Sequence, residues 1–208
     1  MAAPSVFTHD ILPRIQAGHH VLSIVTHEWE RVQNMLLDAG DVLNRRLLKW
    51  TSSNPKIMEL KDVDGYEKWV NLEGSNEFED PVMTQPPGQG QGKGRYAVDV
   101  MLDWYKKHED LQDTILWLED LSPYLDLNEH APDPGMRRLL VRRLRDFCQP
   151  DSLNARKTVV MSFPGDYLPM ELEKDVEQFN IPLPDKEHLS KILEFALEDC
   201  NDGRTVPI

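Results

Sequence analysis

Short apolar, β-branched runs alternate with amphipathic helical stretches along most of this chain, and that alternation restricts the fold more than any other feature. VLSIVT, Val21 to Thr26, reads as a buried strand. A helix follows at once, with Trp29, Val32, Leu36, Ala39 and Leu43 recurring at three- and four-residue steps, the stripe of a helix packed on a sheet. Leu47 to Thr51 gives a second strand. Tyr96 to Gln112 reads as a helix with Ala97, Val100, Met101, Trp104, His108 and Leu111 on one side, and TILWLED, Thr114 to Asp120, as a central strand. Met136 to Cys148 is helical, and KTVVMSF, Lys157 to Phe163, is another apolar strand. The pattern closes with a short strand, Phe179 to Pro184, and a helix capped by Asp185 with Leu189, Ile192, Leu193, Ala196 and Leu197 on its apolar face. A short helix-like stretch, Ile11 to Gly18, precedes the first strand. This order predicts a three-layer α/β fold with a mostly parallel sheet, in which Val21 to Thr26, Thr114 to Asp120 and Lys157 to Phe163 are neighbouring central strands.

Two segments break the pattern. Ser52 to Asp80 is polar, holds Gly65 and Gly74, and shows no clear period. Asp80 to Arg95 combines two adjacent prolines with four glycines, which suits a mobile surface loop and cannot fill a core. With 208 residues, 40% of them hydrophobic, the chain suits one α/β domain over 1–200 with a tail at 201–208.

The formal net charge of −13 opposes unspecific binding to nucleic acid or to an anionic bilayer. No apolar run approaches the roughly 20 residues of a membrane span, and the opening residues MAAPSVFTHD lack the basic start of a secretory signal. A cytoplasmic protein is expected. Cys148 and Cys200 lie far apart without a CxxC spacing, so reduced structural thiols are expected and not a zinc knuckle or a disulfide.

The C-terminal half contains LWLEDLSPYL, then RRLLVRRLRDF, then KTVVMSFPGDYLPMELEKDVEQFNIPLPDKEHLSKIL. In these motifs the chain resembles the N-terminal domain of the AAA-type ATPases encoded in cyanobacteria and plastids. The resemblance covers Ile115 to Leu197 well and the opening QAGHHVLSIVTHEWERV more loosely, and it does not reach Ser52 to Arg95. It implies a degenerate AAA core with the P-loop-NTPase-like layering, without a P-loop and without a C-terminal helical lid domain. It also implies that the working nucleotide site belongs to a second module, whose motifs this sequence does not contain.

The residues agree with that implication. A P-loop needs GxxxxGK[ST] between strand and helix, because backbone amides cradle the phosphates while a hydroxyl binds magnesium. Here the strand runs into the helix as Thr26-His27-Glu28-Trp29-Glu30, which has no glycine and sets two carboxylates at the positive end of the helix. GQGQGKGR supplies Lys93 and Arg95 as weak candidate phosphate contacts, but glycine follows Lys93 and no strand precedes it. Glu119 and Asp120 fall where the resemblance puts the magnesium-holding acids, and Ser162 where it puts the sensor residue. Without a phosphate partner the pair reads as strand-end carboxylates capping the Ser122-Pro123 turn. Lys174 stands near the resemblance's arginine finger and lacks the planar fork that would stabilise a transferring phosphate. HEWER, from His27, has Arg31 where a zinc protease has its second histidine, and the His19-His20 pair has no supporting carboxylates, so no metal is expected.

Arg138, Arg142 and Arg145 lie at helical spacing on one face of an otherwise acidic protein. They read either as a solvated face paired with acids such as Asp146 or as a docking surface for an acidic partner. The leading expectation is a noncatalytic AAA-like domain used in assembly or partner recognition, with an active AAA ATPase subunit among the candidate partners and with no cofactor. The alternative is a regulator that binds ATP and magnesium, or a weak ATPase, with its site completed by another chain. A third reading, local nucleic-acid binding through the arginines, is disfavoured by the charge.

Overall fold

The computed structural model describes residues 8–78, 96–125, 134–149, 151–181, 189, 190 and 193. The elements are α1 (Thr8–Gln16), β1 (Val21–Val25), α2 (Trp29–Leu43), β2 (Arg46–Thr51), β3 (Asn54–Val63), β4 (Tyr66–Asn71), α3 (Ala97–Lys107), β5 (Thr114–Glu119), α4 (Ser122–Leu125), α5 (Pro134–Cys148), β6 (Lys157–Phe163) and β7 (Glu177–Asn180). A single sheet runs β4-β3-β2-β5-β6-β1-β7. The strands β2, β5, β6, β1 and β7 are mutually parallel, and β3 and β4 add an antiparallel hairpin beyond β2. The three strands expected at the centre, β1, β5 and β6, are adjacent and parallel as predicted.

Alternate side chains of the central strands feed two cores, one on each face of the sheet. On one face Leu22, Ile24, Ile115, Trp117 and Val160 meet Ile11 and Ile15 of α1 and Val32, Met35, Leu36 and Ala39 of α2. On the other, Leu116, Leu118, Val159, Met161 and Phe163 meet Met101, Leu102 and Tyr105 of α3 and Leu140, Leu144 and Phe147 of α5. The parallel stacking of Tyr105 on Phe147, with ring centroids 5.8 Å apart, ties α3 to α5. Strands covered on both faces must be apolar throughout, and this is why β5 and β6 read as continuous apolar runs.

At Gly40, near the end of α2, a Cβ would stand 2.8 Å from the Arg45 carbonyl oxygen. Asn44 takes the left-handed conformation and the Arg45 amide donates to the Gly40 carbonyl at 2.8 Å, a helix stop that folds the chain back into β2.

The helix expected over Tyr96 to Gln112 ends at Lys107, and a 3-10 turn follows at Glu109–Leu111. Lys157, at the start of β6 and 1% exposed, donates from Nζ to the carbonyls of Tyr105 (2.9 Å), Lys106 (3.0 Å) and His108 (2.6 Å). These bonds satisfy carbonyls that the end of α3 would leave free, so the helix stops there. His108 consequently leaves the helical stripe and stacks on Trp104, while Val100 is part-exposed.

The polar segment after β2 is a hairpin. Asp64 and Gly65 have φ of 59° and 81°, and Val63 pairs with Tyr66 across them, so the two residues form a tight turn with both φ positive. The strand expected over Phe179 to Pro184 starts earlier, as β7, and pairs with β1 through Asn180. Positions 189, 190 and 193 are helical, and Leu189 and Leu193 are exposed. The expected loop over Asp80 to Arg95, with Lys93 and Arg95, lies outside the described residues, as does the tail. Among the described residues no helix is long and apolar enough to cross a membrane.

Candidate functional site

The parallel strands end at one edge of the sheet, which is where open α/β sheets bind ligands. Register places Thr51, Glu119, Ser162, Ile24 and Phe179 in one row across this edge. The acidic strand end and the serine singled out in the sequence are therefore neighbours, and β1 passes beside Ser162 on its way to α2.

Each of these groups is already engaged. The Ser162 hydroxyl, fully buried, accepts a hydrogen bond from Trp117 Nε1 at 2.8 Å. Glu119 Oε2 lies 3.4 Å from Lys49 Nζ. That ammonium is also 4.7 Å from the ring centroid of Trp69 and 5.0 Å from that of Trp117, so two indole faces and one carboxylate surround it. Trp69 is itself held by a bond from its Nε1 to Gln33 Oε1 of α2 at 3.0 Å. Asp120 is in the left-handed region, φ 51°, and its Oδ1 accepts from the amide of Ser122 at 3.1 Å and from the Ser122 hydroxyl, which starts α4.

The junction of β1 and α2 is short and closed by its own side chains. The Thr26 amide donates to the Phe163 carbonyl at 2.8 Å, and Thr26 Oγ1 accepts from the Glu28 amide at 3.1 Å. Glu28 pairs with Arg31 across the first turn, and Glu30 points to solvent. A polyphosphate needs free amides and a neutral or cationic rim. This junction sets the carboxylates of Glu28 and Glu30 at the helix start instead. His27 is exposed and its would-be partner position, Arg31, is used by Glu28. Among the described residues no group of three or more His, Cys, Asp or Glu side chains is placed to hold a metal ion.

Beside the junction, Thr26, His27, Asp166, Gln178 and Asn180 line an open groove of about 390 Å³ between the ends of β1, β6 and β7. Lys174 lies in an exposed turn before β7.

Helix α5 divides its arginines by role. Arg137 and Arg143 are structural: Arg137 donates from Nε to the Leu125 carbonyl at 3.1 Å and pairs with Glu171, and Arg143 bridges Asp99 (3.2 Å) and Asp103 (2.8 Å) of α3. The sequence reading missed both, although Asp99 in the first turn of α3 is an acid on a helix destined for the core. Arg138, Arg142 and Arg145 share the outward face, with Arg142 reaching Asp146 at 4.0 Å and Arg145 reaching Asp175 at 3.0 Å. Arg138 has no acidic partner among the described residues.

Lys157, which the sequence reading missed, and Cys148, expected as a structural thiol, have shifted protonation. Burial pulls the Lys157 ammonium down to about 8, against the opposing charges of Asp151 and Glu109. Burial, and then the charge of Asp175, push the Cys148 thiol up to about 12.

A comparison with curated proteins gives no match. The model of one family, described as the SpoVK-like AAA ATPase N-terminal domain, matches residues 7–181 and so takes in the β3–β4 hairpin that the motif resemblance did not reach. With that match over most of its length, and with a parallel sheet covered on both faces, the chain belongs to the SpoVK-like AAA ATPase N-terminal domain family.

Proposed function

We propose that this domain is a degenerate AAA core that works by contact with protein partners and does not hydrolyse nucleotide. The observation that carries the reading is the β1–α2 junction, where Thr26 and Glu28 close the turn with their own groups and two carboxylates occupy the helix start. The pairing of Glu119 with Lys49 supports it, because a carboxylate neutralised within the chain is not available to a magnesium ion. The kinship with cyanobacterial and plastid ATPases rests on the motifs LWLEDLSPYL and LPMELEKD. An active AAA ATPase module is the partner class that the family suggests.

The test is phosphate release from ATP with magnesium by the purified chain and by its Glu119→Gln variant. The proposal expects both at the background of buffer. A rate above background in the parent chain that falls at least about tenfold in the variant contradicts it, because loss of an acid that holds magnesium removes transition-state stabilisation.

A further inference from the structure

We infer that the outward face of α5 is a docking groove for an acidic segment of a partner protein that carries apolar side chains among its carboxylates. The inference deepens the contact function proposed above and rests on it.

Arg138, Arg142 and Arg145 line a hollow of about 460 Å³ together with Val141, Asp146 and Glu171. Val141 is 7% exposed and gives this hollow an apolar floor. A second hollow of about 260 Å³ lies on the other side of Arg142, lined by Leu139, Arg143, Asp99 and Asp146. Arg142 and Asp146 border both, so the two form one track along the helix. Leu139 stands 45% exposed on it, and Met170, beside Glu171 in the chain, is 78% exposed.

The charge on this face is only partly consumed internally: Arg145 pairs with Asp175 at 3.0 Å, which leaves Arg138 and Arg142 as its open cations. Arg142 meets Asp146 only at 4.0 Å, with both side chains mostly in water, where such a pair contributes little. Arg138 shares the hollow with Asp146 and Glu171 but forms no ion pair among the described residues. On a chain of net charge −13, a local row of arginines attracts an acidic segment and orients its approach. Arginine also matches carboxylate with its planar fork.

A phosphate backbone fits less well. It has no use for the apolar points Leu139 and Val141 that line the two hollows. An acidic peptide with leucine-like side chains uses both the open arginines and the apolar points Leu139 and Val141.

The probe is a fluorescein-labelled synthetic peptide in which Glu-Glu pairs alternate with Leu-Leu pairs, read by anisotropy with the full chain. Two controls are the same peptide with serine for leucine and a single-stranded DNA of equal charge. The expected result is saturable binding of the Glu-Leu peptide, weakened about tenfold or more by Arg138→Gln with Arg142→Gln, and weakened several-fold by the serine exchange. The double variant disturbs only the loose Arg142–Asp146 contact, and Leu139→Ser, at an exposed position, gives a second and independent loss. No binding, binding that both variants leave intact, or equal binding of the DNA overturns the inference. A failure of the peptide with no phosphate release from ATP removes the groove alone, whereas Glu119-dependent hydrolysis removes the contact function itself.

Discussion

Lys49 Nζ stands 3.4 Å from Glu119 Oε2 and between the indole faces of Trp69 and Trp117. The four side chains join β2, β4 and β5 on the α2 face of the sheet, so one cation fastens the hairpin to the strand end that carries the acid.

Lys49→Met removes the ion pair and both cation–π contacts and leaves the part-buried Glu119 without its counter-charge. The loss expected in urea unfolding is about 1–3 kcal/mol, with Lys49→Arg retaining most of the stability. An unchanged midpoint in Lys49→Met contradicts the role of the cage.

Gly40→Ala sets helix propensity against sterics. Propensity alone favours alanine by about 1 kcal/mol in a helix interior. The new Cβ would stand 2.8 Å from the Arg45 carbonyl oxygen, and backbone there must shift. The variant is expected to lose about 1–3 kcal/mol by urea unfolding, in the range of overpacking. A gain in stability shows that the α2–β2 turn yields easily.

Lys157 gives a pH dependence of defined sign. Its folded value is about 8 and its ordinary value 10.5, so between these pH values the unfolded chain holds more protons than the folded one. Stability from this group therefore rises with pH across that window. The difference in unfolding free energy, parent chain minus Lys157→Met, should increase from pH 8 towards pH 10.5. Tyr105, raised by burial, titrates in both proteins and cancels in the difference. A difference that stays flat or falls contradicts the assignment.

Cys148, pushed up to about 12, carries almost no thiolate near neutral pH. In a Cys200→Ser background, a disulfide reagent at pH about 8 should leave it unmodified until denaturant is added. Fast modification of the native chain contradicts the raised value of this half-buried thiol.

The sheet's centre was legible because β1, β5 and β6 are buried on both faces and so are written in mostly apolar letters. The hairpin was hidden by its position at the sheet edge, where β4 is exposed except at Trp69 and Val70 and so shows no clear period, yet Asp64-Gly65 ahead of it was a turn signal that went unread. The break in α3 had no local signal at all. It is imposed by Lys157, some fifty residues away in sequence, through three hydrogen bonds to backbone carbonyls. At the strand-end edge, sequence located Glu119, Asp120 and Ser162 correctly along the strands but not their partners. Lys49 and Trp69 belong to β2 and the hairpin, so their approach to Glu119 depends on the sheet order and not on any spacing in the chain.

Titration of the purified chain with ATP in a calorimeter, with and without magnesium, tests the central claim most directly. The account predicts no saturable heat at nucleotide concentrations up to about 1 mM, the upper end of ordinary enzyme affinities. Saturable one-to-one binding that requires magnesium and disappears in Glu119→Gln would contradict it.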